Sequence, residues 1–310
     1  MALLKREKSK VAPKNKGDRW GLAYVSPFFI IFGVFGLLPI LFTVYVSFFH
    51  WDPLAGHNFI GLDNFRNLFT DPYFYRAVRN TFSIFLFSFV PQTILALLLA
   101  NFLANPHLKF KVFWRTILLV PWVTSILSVA IIFSELFGQN YGMVNVAMHY
   151  LGLSHIGIHN VNWVGQTIPS HIAIASMIVY RNLGYASLIY LASMLAIPRD
   201  LYESASLDGA SKLQQFRYVT IPQLKNTLTF MLIVGTIGGL QTFLEPLTYG
   251  GVQGGDSRQF STLALYLYEQ IIINNKLGYA AAIGVAITLI TIMISGVNFL
   301  VTRRISGSEA

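Results

Sequence analysis

The chain has 310 residues, 54% of them hydrophobic and 11% charged, against roughly a quarter charged in an ordinary soluble domain. It holds no cysteine, which excludes disulfide, thiolate-zinc and thiol chemistry. The net charge of +9 points to nucleic acid only if the cations share one surface, and they do not.

The charges fall between uncharged runs at 20–51, 80–108, 116–134, 182–198, 226–244 and 277–302. A helix crosses a bilayer core with about 20 largely apolar residues. Spans are therefore expected at about 22–49, 80–104, 116–136, 168–194, 224–245 and 279–302, the fourth only with Arg181 inside it. The first run follows a basic tail, 1–21. At Leu22 to Phe49 it is twice the length of a secretory core, and no cleavage pattern follows, so it reads as a retained span. Pro27, Gly33, Gly36, Pro39 and Pro91 lie within spans 1 and 2, and Pro121 is expected to open span 3; such residues are tolerated where neighbours satisfy the freed backbone. Phe48, Phe49 and Trp51 read as an interfacial aromatic belt.

Lysine and arginine divide unevenly between alternate flanks. Sixteen lie in the N-terminal tail, the 105–115 and 195–226 loops and the 303–310 tail; five (Arg66, Arg76, Arg79, Arg258, Lys276) lie on the other side. Cytoplasmic flanks carry this excess, so both ends and the 195–226 loop are expected inside the cell. The basic tail then reads as a topology signal touching anionic lipid, with no nucleic acid partner. His149, His155 and His159 lie between spans 3 and 4 without helical ligand spacing, and no metal site is expected.

Polar groups inside spans carry a desolvation cost and mark packing or a solute path. Trp122, Thr124 and Ser125 lie near the start of span 3; Tyr180, Arg181, Asn182, Gly184 and Tyr185 lie in span 4. Gln241, Thr242 and Glu245 close span 5, with Gln241 and Glu245 expected on one helical face. The serines and threonines suit interhelical hydrogen bonds, whereas Arg181, Gln241 and Glu245 favour a polar pathway.

The loop after span 4 has its own pattern. Pro198 closes the span, and Asp200 with Glu203 forms a capping-box spacing, so a short helix is expected to begin there. Gly209 supplies a positive φ that breaks it, and a second helix should run to about Thr220 and end at Pro222. Small residues at Ser204, Ala205 and Ala210 allow close approach by another protein; an interfacial loop on the head groups fits the composition equally well.

Glu203, Ala205, Asp208, Gly209, Ala210, Phe216, Ile221 and Pro222 resemble the EAA motif of the membrane subunits of binding-protein-dependent ABC importers, with Ser204 where alanine is usual. Pro39, the segment Phe48 to Trp51, Gly61 to Phe65 and Leu277 to Ala282 resemble the carbohydrate branch of that family. The resemblance implies an all-α polytopic bundle of about six transmembrane helices, of the type I importer permease kind, in a bacterial or archaeal cell membrane. It implies that 197–222 docks on a separate ATPase, present in two copies, which binds ATP and magnesium while this chain binds no cofactor. It further implies a second permease subunit, with a heterodimer expected, an extracytoplasmic solute-binding protein, and a sugar passing Trp122 to Ser125, Leu183 to Tyr185 and the polar end of span 5. Two other readings stand beside it: an ion-coupled carrier, for which the intramembrane acids Glu135 and Glu245 are few, and a polytopic membrane enzyme, which lacks a catalytic constellation. The glycine cluster Gly250 to Gly255 lacks the Gly-Lys-Ser/Thr of a phosphate cradle and reads as a flexible external loop.

Overall fold

The computed structural model describes residues 17–52, 56–138, 142–152 and 161–307. Among these, five helical segments are long and apolar enough to cross a membrane: Ala23–Val46, Pro72–Ala104, Thr167–Leu195, Lys225–Gly250 and Leu277–Leu300. A sixth crossing is made by a pair, Lys111–Val123 and Ile126–Leu136, bent by 89°. One end of the bundle carries the connection between the third and fourth full-length segments; the other carries 47–52, 56–71, 161–166 and 251–276.

The first crossing is α1 (Gly17–Ile31) and α2 (Leu38–Val46), joined by a π-helical stretch, Phe32–Leu37. Its cause is Pro39, which has no N–H and crowds the preceding turn. The Leu38 N–H therefore reaches back five residues to the Gly33 carbonyl. The chain then forms a short hairpin, β1 (Phe49–Asp52) against β2 (Gly56–Phe59), in an otherwise helical architecture, as expected. Phe49 pairs with Phe59 and Trp51 with His57, with ring centroids 5.3 and 4.8 Å apart, and these cross-strand contacts hold the ribbon. Phe49 and Trp51 are thus strand residues where the aromatic belt was expected.

After α3 (Asp63–Thr70) comes α4 (Pro72–Ala104), which starts eight residues before the expected 80 because Asp71 caps it, accepting from the Tyr73 N–H at 2.8 Å. Then follow α5 (Lys111–Val123), α6 (Ile126–Leu136), α7 (Met143–Tyr150) and α8 (Thr167–Leu195). Pro121 lies in the last turn of α5 and does not open a span, and the backbone is extended at Thr124 and Ser125. Ala96 and Ala100 of α4 pack with Ala186 and Tyr190 of α8 in one core cluster, their small side chains letting the helices approach closely.

The remaining elements are α9 (Arg199–Leu207), α10 (Lys212–Gln215), a second π-helical stretch at Phe216–Thr220, α11 (Ile221–Gln223), α12 (Lys225–Leu240), α13 (Leu244–Gly250), α14 (Leu263–Ile272) and α15 (Leu277–Gly307). The fifth crossing is broken at 241–243. Gly250 to Gly255 is a packed turn, not a loose loop. Gly254 and Gly255 are buried, with φ of 70° and 86°, and a Cβ at Gly254 would strike the Ser261 backbone.

Candidate functional site

Two features stand out, a cavity within the bundle and an exposed helical pair at one end. The cavity, about 480 Å³, is lined from α4 by Phe85, Ser88, Phe89 and Gln92, from α8 by Arg181, Asn182 and Tyr185, and from the broken fifth crossing by Gln241, Thr242 and Glu245. Its size is that of a small-molecule site. Six of the expected pathway residues therefore converge on one space. Gln241 and Glu245 do so by a route other than the one expected, because α12 ends at Leu240 and Glu245 belongs to the next helix. The helical break, not an i,i+4 stack, turns both toward the cavity.

Arg181 has its guanidinium carbon 5.4 Å from the centroid of the Trp122 ring, and its buried Nε–H has no hydrogen-bond partner. Trp122 packs edge-on against Tyr185 at 5.1 Å, so it braces two lining residues from behind. Thr124 donates to the Val120 carbonyl of its own helix at 2.7 Å, Ser125 starts α6, and neither lines the cavity. Tyr180 packs on Phe133, with centroids 5.3 Å apart. Gly184 is a packing residue: α8 crosses α5 so closely there that a Cβ would meet the Leu118 carbonyl. Thr124, Ser125, Tyr180 and Gly184 thus lie outside the cavity, each turned to a neighbouring helix, to its own helix or to the surface.

Sequence reasoning missed the α4 wall. Phe85 and Phe89 stack with centroids 5.2 Å apart, and their rings lie where Cβ atoms at Gly239 and Gly235 would be. The signal was present as Gly235, Gly238 and Gly239 within five residues of the largely apolar α12.

The exposed pair is α9 with α10 and its continuation to α11. Helix α9 ends in a Schellman motif: Ala210 N–H bonds the Ala205 carbonyl at 2.9 Å, Gly209 N–H bonds the Ser206 carbonyl at 3.1 Å, and Gly209 has φ 80°. The expected capping box at Asp200 does not form. Pro198 occupies the cap position and Asp200 lies in the first turn, where its charge suits the helix dipole. The capping box is instead at Ser211 and Gln214. The second helix ends at Gln223, one residue past Pro222. The Ile221 N–H reaches back to Phe216, and this π-helical turn carries the chain past the proline, as at Pro39. Gln215 donates to Ser206 Oγ at 2.9 Å and to the Ala210 carbonyl at 3.1 Å, and Tyr202 bonds Thr220 at 2.9 Å. The two arms are therefore cross-braced. Outside lie Glu203, Ser204, Asp208 and Gly209, with Leu207 90% and Leu213 77% exposed; Ala205, Ala210, Phe216 and Ile221 are partly covered, and Pro222 is exposed.

The other end of the bundle has a second polar crevice. Asp71 accepts from the Tyr266 and Tyr279 hydroxyls, the latter at 2.6 Å. Burial first, then the bond to Asp71, push the Tyr266 hydroxyl above its ordinary pKa, so it stays a donor. Arg258 makes two bonds of 2.5 Å to the buried Glu269, which hold its guanidinium protonated. Among the described residues no group of three or more His, Asp or Glu could hold a metal ion. His155 and His159 lie outside the described residues.

A bundle of broken apolar helices around a cavity lined by aromatic and polar side chains, with a compact helical pair projecting from one end, defines a membrane transport subunit. Residues 92–307 match the family described as "binding-protein-dependent transport system inner membrane component", and the chain belongs to that family. It is 32% identical to the probable ABC transporter permease protein YurN of Bacillus subtilis, over 86% of this chain and 90% of that one. It is 31% identical to the lactose transport system permease protein LacF of Rhizobium radiobacter, over 96% and 98%. Among solved structures, a bacterial ABC transporter involved in the import of the acidic polysaccharide alginate superposes with a TM-score of 0.77 at 24% identity, covering 94% of this chain and 97% of that one.

Proposed function

We propose that this chain is one half of the translocation pathway of an ATP-driven importer of a disaccharide or oligosaccharide. It is a multi-pass membrane subunit with α9–α11 and both termini in the cytoplasm. The observation that carries the reading is the cross-braced pair at Arg199–Gln223, rigid yet presenting Glu203, Gly209, Leu207 and Leu213 outward. Lipid contact alone requires no such bracing. A rigid lever between a separate ATPase and the spans does, because closure of two ATPase copies must be transmitted without the loop yielding. Hydrolysis of magnesium-bound ATP belongs to that partner, and a second permease subunit, expected to be a different chain, completes the pathway.

The excess of basic residues on the flanks that include 195–226 supports the orientation. A solute-binding protein would then deliver solute at the hairpin end. The saccharide reading is supported by the lactose-transport relative and by the lining itself: aromatic rings from Phe85, Phe89 and Tyr185 beside hydrogen-bonding groups from Arg181, Asn182, Gln241 and Glu245. Family membership disfavours the ion-coupled carrier.

The test is uptake by the reconstituted importer. Glu203→Lys and Gly209→Val are expected to abolish ATP-dependent saccharide uptake while the chain still inserts and is recovered in the membrane fraction. Normal uptake by either variant overturns the docking role.

A further inference from the structure

The cavity wall includes three residues, 241–243, that leave the helix inside the bundle. Unwound backbone at membrane depth persists only where protein or water satisfies its polar groups. The Gln241 N–H bonds the Gly238 carbonyl and the Thr242 N–H bonds Gly239, both at the end of α12. The Thr242 carbonyl is served from elsewhere. It accepts from Thr262 Oγ1 at 2.7 Å, twenty residues on, across a fully buried contact.

Thr262 is itself fixed. Its hydroxyl oxygen caps α14 by accepting from the Leu265 N–H at 3.3 Å, and the adjacent Leu263 N–H bonds Thr81 Oγ1 of α4 at 2.9 Å. Asn80 of the same helix holds the Arg258 and Ser261 carbonyls at 3.0 and 3.1 Å. The segment 258–263 is thus pinned to α4, whose next turns supply Phe85, Ser88 and Phe89 to the cavity. Among the described residues, the Thr262 to Thr242 hydrogen bond connects this pinned segment to the break.

We propose that Thr262, which does not line the cavity, is a positioning residue for the solute site: its hydroxyl holds the unwound turn open so that Gln241 and Thr242 face the cavity. Valine has nearly the shape of threonine but cannot donate. In its presence the Thr242 carbonyl is orphaned in the bundle, and the turn rewinds or rotates to find a donor. The inference takes the cavity of the proposed function as the solute path, but its test requires no solute.

The chain has no cysteine, so Gln241→Cys introduces a single thiol. In the importer reconstituted in proteoliposomes, its labelling rate with a methanethiosulfonate ethylammonium reagent reports exposure of position 241 to the cavity. Thr262→Val in the Gln241→Cys background is expected to change that rate about tenfold, and Thr262→Ser to restore the parent rate. Thr262→Ala carries the same comparison if the valine variant does not assemble. Equal rates in all backgrounds overturn the proposal. So does an equal change with serine and valine, which would make side-chain volume the cause. Failure of both the valine and alanine variants to assemble also overturns it, by making the hydroxyl a requirement of folding. Loss of the saccharide reading through absent uptake leaves this labelling result decisive on its own.

Discussion

Glycines in the spans are not equivalent, and the neighbours of each decide its tolerance. At Gly184 the carbonyl of Leu118 occupies the space a Cβ would need, and backbone cannot swing aside as a side chain can. At Gly238 nothing lies within 4 Å of that point. Gly184→Ala is expected to cost about 1–3 kcal/mol and to lower the melting temperature of the solubilised protein, with loss of the Trp122–Tyr185 contact that braces the cavity. Gly238→Ala is expected to be neutral or to stabilise by about 0.5–1 kcal/mol, since alanine restricts the unfolded chain more than glycine. Equal melting shifts for the two would remove the packing explanation. In a linear reading Gly184 stood beside Arg181, Asn182 and Tyr185 and shared their expected role. Only the α5–α8 crossing separates the residues that face the cavity from the one that faces a helix.

At the scale of elements, the six crossings were legible because uncharged length is a property of the chain itself. Their interruptions were not. The break at 241–243, for one, depends on a partner distant in sequence, Thr262. The prolines at Pro39 and Pro222 show a related limit. Each carries the same local penalty, and in both cases a neighbouring π-helical turn absorbs it, which the position of the proline alone does not foretell. The helical pair at 199–223 was legible as two arms about Gly209, but its cap was assigned to Asp200 when Ser211 and Gln214 form it. Ser211→Ala should therefore destabilise the second arm by about 1 kcal/mol. Amide hydrogen exchange over 212–220 should accelerate, while Asp200→Ala leaves it nearly unchanged.

Across the whole molecule, the hairpin end combines an apolar cluster of Leu68, Phe74, Leu263 and Ile283 with a set of polar bonds. Asp71, Arg258 and Glu269 tie α4, the turn before α14, α14 and α15 into one unit. Glu269 is 2% exposed, so removing its partner leaves a carboxylate buried without a counter-charge. Arg258→Ala is expected to cost about 3 kcal/mol, and Glu269→Ala in the same chain to return part of it. A double-mutant cycle in melting temperature that proves additive would show the pair to be uncoupled. A site that was poorly legible, the α4 wall of the cavity, belongs to this scale too. Phe85 and Phe89 are unremarkable among 25 phenylalanines until α12 is laid against them with glycines at 235 and 239.

The first crossing packs mainly on the last. Helix α2 and the hairpin lie against α15, and the chain at Gly278 sits so close to the Phe49 carbonyl that no side chain fits between. A ribosome makes the first segment more than two hundred residues before its neighbour exists. Throughout that interval the segment has no α15 surface to shield a polar side chain on the face that will meet α15. Its freedom from charge between 20 and 51 is what makes that wait tolerable, so the composition of the opening segment answers to the order of synthesis as well as to the finished bundle.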